Sequence, residues 1–197
     1  MSDDFDSFDT ERWREELEAK RAEKDDFFAE HPQSPIPPDE REEFDGLSYF
    51  DPAPAYRVAA TLELEDDPGA DPVTMETTSG GEMRYLHTTT LSFELTPEDE
   101  DLQAGEFELA GYEQEGAAEQ VLFVPFRDKT TGQQTYPGGR YMELALEAGD
   151  FESGSEVVLD FNLAYTPFCA YSDVFECPLP PAQNWLEVVI PAGEQWE

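Results

Sequence analysis

Tyr56–Leu64 reads YRVAATLEL, and its hydropathy alternates along the whole stretch. Alternation with a period of two is the pattern of a half-buried β-strand. Working outward, further short segments read as strands. They are Val73–Thr77, Met83–His87, Thr89–Leu95, Glu106–Glu113, Gln120–Pro125, Arg140–Glu147, Val157–Phe161 and Trp185–Ile190. Turns rich in Gly, Pro and Asp separate them, such as DPGADP (Asp67–Pro72) and SGGE (Ser79–Glu82). Short strands spaced about 8–15 residues apart predict a mainly β fold, an antiparallel barrel or sandwich. There is no βαβ rhythm, which argues against a parallel α/β fold.

The N-terminus differs. Residues 1–8 read as a disordered tail. A helix is expected from Asp9 or Thr10, either of which can cap it, to about Glu30. Trp13, Leu17, Lys20 or Lys24, and Phe27 or Phe28 fall on one face, and lysine stems extend this thin apolar stripe. Five of the 11 bases lie on this helix: Arg12, Arg14, Lys20, Arg21 and Lys24. The helix is therefore expected to dock on the acidic body by charge as well as by aromatic anchors. The alternative is a solvated helix with i, i+4 pairs such as Glu16–Lys20, each worth about 0.3 kcal/mol. HPQSPIPPDE (His31–Glu40) is a Pro-rich linker. The chain thus divides into residues 1–33, a tail and docking helix, and 34–197, one β domain.

At 39% hydrophobic and 13% aromatic, the 197-residue chain can bury a real core. Its formal net charge is −36, from 47 acids against 11 bases. That density repels itself and weakens a compact state. At about 1 M salt the Debye length falls to about 3 Å and the repulsion is largely screened. The composition therefore predicts a salt-rich cytoplasm, a haloarchaeon's above all. The alternative is an ordinary acidic protein that binds cations or a basic partner. Nothing here would neutralise phosphates, so no nucleic-acid partner is expected. No apolar run approaches the ~20 residues that span a bilayer. MSDDFDSFDT lacks the basic and apolar regions of a signal peptide, so a cytoplasmic location is expected.

Four segments carry a family likeness: SPIPPDEREEFDGLSYF (Ser34–Phe50), PFRDKTTGQQTYPGGRY (Pro125–Tyr141), DFNLAYTPFCAY (Asp160–Tyr171) and CPLPPAQNWL (Cys177–Leu186). Together they resemble the family catalogued as domain of unknown function 1684. The resemblance runs from about Trp13 to Glu194 and is strongest over Val124–Glu194. It implies that this last stretch is one structural unit, and it implies no activity.

The same stretch holds the candidate site. Arg140 follows Gly138-Gly139, where the backbone can turn tightly. It would hold a carboxylate or phosphate through two parallel hydrogen bonds, or else pair with Asp128 or Asp160. Asp160 and Asn162 end the strand-like VVLDFN and would fix polar atoms, or close the turn at Ala164–Pro167. Tyr136 is a possible donor beside the polar turn at Asp128, Thr130 and Gly132. Cys169 and Cys177 lack the C-x-x-C spacing of zinc and thioredoxin-like sites. Two buried small hydrophobes are the commonest outcome, with a disulfide, a zinc ligand pair and a His87-activated nucleophile as alternatives. No phosphate-loop, nucleophile-elbow, zinc-protease or dinucleotide motif is present.

The expected site is a pocket lined by Tyr136, Arg140, Tyr141, Asp160, Asn162 and Tyr165, taking an anionic small molecule, with no metal and the cofactor unassigned. One rival is a hydrolase or lyase with Asp160 as base and Arg140 stabilising negative charge. Another is a non-catalytic interaction module that uses the helix or the acidic surface.

Overall fold

The computed structural model describes residues 8–67, 72–97, 102–115, 121–145 and 152–196. Residues 1–7 of the expected tail, most of DPGADP, Gln120 and Glu147 lie outside the described residues.

Helix α1 spans Thr10–Glu30. Asp9 caps it, its carboxylate accepting from the amides of Glu11 and Arg12 at 3.1 Å each. Leu17 and Phe28 are its buried residues. Of the expected stripe, Trp13 and Lys24 are half-buried and Lys20 is exposed.

Among the described residues, seven strands follow: β1 (Arg57–Leu64), β2 (Val73–Glu76), β3 (Glu82–Leu95), β4 (Gly105–Gln114), β5 (Val121–Phe126), β6 (Arg140–Ala145) and β7 (Ser155–Asp160). They form one antiparallel sheet in the order β6-β5-β4-β3-β1-β7, with β2 also on β3. The sheet curls into a half-barrel. Its outer edges meet at one point, where Tyr141 in β6 and Tyr165 beyond β7 exchange both backbone hydrogen bonds at 2.9 Å.

Met83–His87 and Thr89–Leu95, expected as two strands, are halves of β3. Its first half pairs with β2 and its second with β1, and the register with β4 shifts between His87 and Thr89. LHTTT holds no Gly or Pro to start a turn, so the chain bulges and bends instead. The bend lets one strand serve two neighbours and adds to the curl.

The core lies in the concavity. Ala60, Leu62, Leu91, Phe93, Leu95, Leu109, Leu122, Val124, Phe126, Met142, Val157 and Leu159 line it. The remaining space is filled by the C-terminal segment. Trp185–Ile190, expected as a strand, bends at Glu187 and Val188 and belongs to no strand among the described residues; Trp185 makes only an isolated bridge to Arg127. The period of two is nonetheless present, with Leu186, Val188, Ile190 and Ala192 all buried. Alternation reports burial on one side and not ladder pairing, and here the backbone's hydrogen bonds come from elsewhere. Among the described residues, no helix is long and apolar enough to cross a membrane.

Candidate functional site

Arg140 supplies many of those missing bonds. Its side chain has 0% exposure. Its Nη1 donates to the carbonyls of Ala192 and Glu194, and its Nη2 to the carbonyl of Ile190 at 3.0 Å and to Asp128 at 3.3 Å. Asp128 in turn accepts from the Ile190 amide at 2.8 Å and from the Thr130 hydroxyl at 2.8 Å. The guanidinium lies 5.2 Å from the centre of the Phe126 ring, and its Nε has no hydrogen-bond partner among the described residues. Burial pushes its pKa down, and Asp128 pulls against that. Gly139 makes the entry possible. Its φ is +91°, and a Cβ there would stand 2.7 Å from Pro180 and 2.8 Å from the Phe126 carbonyl.

The other expected residues divide into separate groups. Asp160 accepts from Trp13 Nε1 at 2.9 Å and from Asn162 Nδ2 at 2.8 Å, with Arg57 3.9 Å away. Asn162 also brackets the Ala53 backbone, donating to its carbonyl at 2.9 Å and accepting from its amide at 2.8 Å. Its distant partner is thus Ala53, and the Ala164–Pro167 turn is not closed by it. Tyr141 donates its hydroxyl to the Pro178 carbonyl, and Tyr165 donates to Glu143 at 2.6 Å. Tyr136 packs edge-on to Trp196 at 5.2 Å. Arg140 and Asp160 therefore bond to different partners.

Asn162 and Tyr165 come together elsewhere, in a cleft between α1 and one end of the half-barrel. Phe28 anchors the helix there, its ring meeting those of Phe44, Phe168 and Tyr171 at 6.0, 5.7 and 5.0 Å. Upstream of this anchor, Lys20, Arg21 and Lys24 face Tyr49, Asn162, Tyr165 and Glu194 across a cavity of about 150 Å³. Lys24 pairs with Glu194, whose side chain is 3% exposed and also accepts from the Thr166 amide at 2.8 Å. The Lys24 ammonium lies 4.9 Å from the centre of the Tyr165 ring. Lys20 has no ion pair among the described residues.

Arg21 is the unusual member. Its Nη1 donates to the Phe50 carbonyl at 3.0 Å, and its guanidinium stacks 4.4 Å from the Tyr49 ring centre. Its Nε and Nη2 are buried and have no hydrogen-bond partner among the described residues, and neither has the Tyr49 hydroxyl. Burial pushes the Arg21 pKa down, with Tyr49 and nearby carboxylates pulling it back. Burial, and next the charge of Glu194, push the Tyr49 hydroxyl well up, so it stays a neutral donor. Nε–H and Nη2–H lie parallel along one edge of the guanidinium plane, the fork that matches a carboxylate or phosphate. A buried donor left without an acceptor costs about 1–3 kcal/mol. The two residues that carry these three donors, Arg21 and Tyr49, both line the cavity. Among the described residues no group of three metal-ligating His, Cys, Asp or Glu side chains converges.

Arg21, Lys20, Lys24, Tyr49 and Glu194 were not among the site residues expected from sequence. One signal was available: nearly half the bases of a very acidic chain sit on one helix. What it faces depends on a tertiary contact.

The family model described as "Protein of unknown function (DUF1684)" matches residues 42–195. The chain is also similar to the uncharacterised protein of Haloarcula marismortui whose structure was solved in solution by NMR. The two share 55% identity over 95% of this chain and 96% of that one, with a TM-score of 0.71. No curated protein matches.

Proposed function

The chain belongs to the DUF1684 family of proteins of unknown function, and on the geometry of the cleft we propose that it binds an anionic small molecule on the free edge of Arg21. The observation that carries this reading is that the residues bearing two parallel N–H groups and a hydroxyl, all without a partner among the described residues, line one cavity. Arg21 thus takes the role expected of Arg140, with Asn162 and Tyr165 as walls. The Lys24–Glu194 pair is internally neutral, which leaves Arg21 and Lys20 as the charge available to a ligand. The volume is ample for a compact carboxylate or a phosphate, since one water needs only about 10–15 Å³ by the same kind of measure. The acidity of the rest of the chain fits a salt-adapted protein, as does its Haloarcula relative.

The test is thermal unfolding in molar KCl with inorganic phosphate, acetate, malonate or succinate as the probe. A probe at 100 times its Kd stabilises the folded state by about 2.7 kcal/mol. In a chain of this size, that raises the midpoint by about 5–10 °C. Arg21→Gln abolishes the response, and Arg12→Gln, exposed on the same helix, keeps it. A response equal in Arg21→Gln, or none from any probe, would overturn the proposal.

A further inference from the structure

The walls of the cleft narrow the kind of anion it takes. Leu17, Leu163 and Ala164 line the same cavity as Arg21. Leu17 and Ala164 are buried, whereas Leu163 is 43% exposed. Among the described residues the exposed large apolar side chains are Leu64, Leu163, Val174 and Trp185, and of these Leu163 alone lines the cleft. A single exposed leucine needs no explanation by itself. This one shares a cavity with an arginine whose buried Nε and Nη2 lack a partner among the described residues.

The charges of the cleft point the same way. Glu194 also lines it, its carboxylate fixed by Lys24 and by the Thr166 amide at 2.8 Å. A second negative charge on the ligand would meet this fixed carboxylate or break its pair with Lys24, and like charges brought together where water is excluded repel strongly. Lys20 is exposed, and in about 1 M salt a Debye length of about 3 Å screens it. Apolar burial carries no charge for the salt to screen.

We propose, on the premise that Arg21 holds an anion, that the ligand is a monocarboxylate with a short apolar chain. The carboxylate sits on the Nε–Nη2 edge of Arg21, and the chain lies against Leu17, Leu163 and Ala164. At about 150 Å³ the cavity has room for about ten water-sized groups of 10–15 Å³ each, enough for a carboxylate and a chain of several carbons. Two residues then set specificity. Leu163 offers the exposed apolar surface that the chain covers, and Glu194 turns away a second carboxylate.

The experiment is isothermal titration calorimetry of the folded full chain in molar KCl, at constant ionic strength, with the potassium salts of acetate, propionate, butyrate and succinate. From acetate to butyrate the Kd is expected to fall about three- to fourfold with each methylene, the gain for burying a methylene fully. Butyrate and succinate have the same four carbons and differ by a methyl against a carboxylate, so butyrate is expected to bind about tenfold tighter or more. Leu163→Ser, shown folded by circular dichroism, narrows the ratio of butyrate to acetate affinity. Arg21→Gln loses all four acids. Equal affinity along the series, or succinate binding as tightly as butyrate, would overturn the monocarboxylate and leave the anion site at Arg21 standing. A chain-length gain that persists in Arg21→Gln would also overturn it, by showing apolar association elsewhere on the chain. No heat from any of the four acids or from inorganic phosphate would remove the anion site itself, and the monocarboxylate with it.

Discussion

Two arginines make opposite uses of the same side chain. Arg140 gives both terminal nitrogens to the protein's own backbone and to Asp128, and so replaces the ladder that the C-terminal segment lacks. Arg21 keeps its side edge unfilled. The two should therefore respond differently to substitution. Arg140→Met strands Asp128 as a buried charge and is expected to cost about 3–5 kcal/mol, because breaking a buried pair from one side leaves the other unsolvated. Arg21→Gln removes one bond to the Phe50 carbonyl and is expected to cost only about 1 kcal/mol. Denaturant titration in molar KCl measures both, and equal losses would refute the distinction. The pairing of Arg140 with Asp128 was legible in the sequence as one of two named partners. The role of Arg21 was not, because it depends on Tyr49 and Phe50 meeting the helix through the fold.

At the scale of elements, short runs between Gly, Pro and Asp turns, with alternation clearest in β1, located every strand of the described sheet. This pattern misjudged only what it does not encode. The C-terminal segment alternates because it fills a concavity, and β3 runs on as one strand because its bulge carries no turn residue. Helix α1 was legible as a docking helix, through Asp9, Leu17 and the phenylalanines. Its two kinds of attachment make a test. Phe28 is fully buried in an aromatic cluster, and Phe28→Ala is expected to cost about 3–5 kcal/mol of packing. That loss falls on helix docking more than on the sheet. Tryptic cleavage after Arg21 and Lys24 should therefore speed up well before the sheet unfolds, and the anion response should vanish with it. Cleavage no faster than in wild type would mean that the polar contacts from Trp13, Arg21 and Lys24 hold the helix alone.

For the whole molecule, the question is how a chain of charge −36 stays compact. The ion pairs inside it do not answer this, because the buried ones among the described residues, Arg140–Asp128, Lys24–Glu194 and Arg57–Asp160, involve only three of the 47 acids. Most carboxylates face solvent and repel one another. The Debye length is about 10 Å at 0.1 M salt and about 3 Å at 1 M, so most of the screening is gained over that interval. The midpoint of urea unfolding is therefore expected to rise steeply between about 0.1 and 1 M KCl and to flatten beyond, where the chloride merely adds to ions already dense enough to screen neighbours. Sucrose tells this apart from a general strengthening of burial, since it is excluded from the protein surface and carries no charge. It should leave most of the low-salt loss unrestored. A midpoint unchanged on dialysis to about 0.1 M KCl, or restored fully by sucrose, would show that repulsion among surface acids is not what limits this fold.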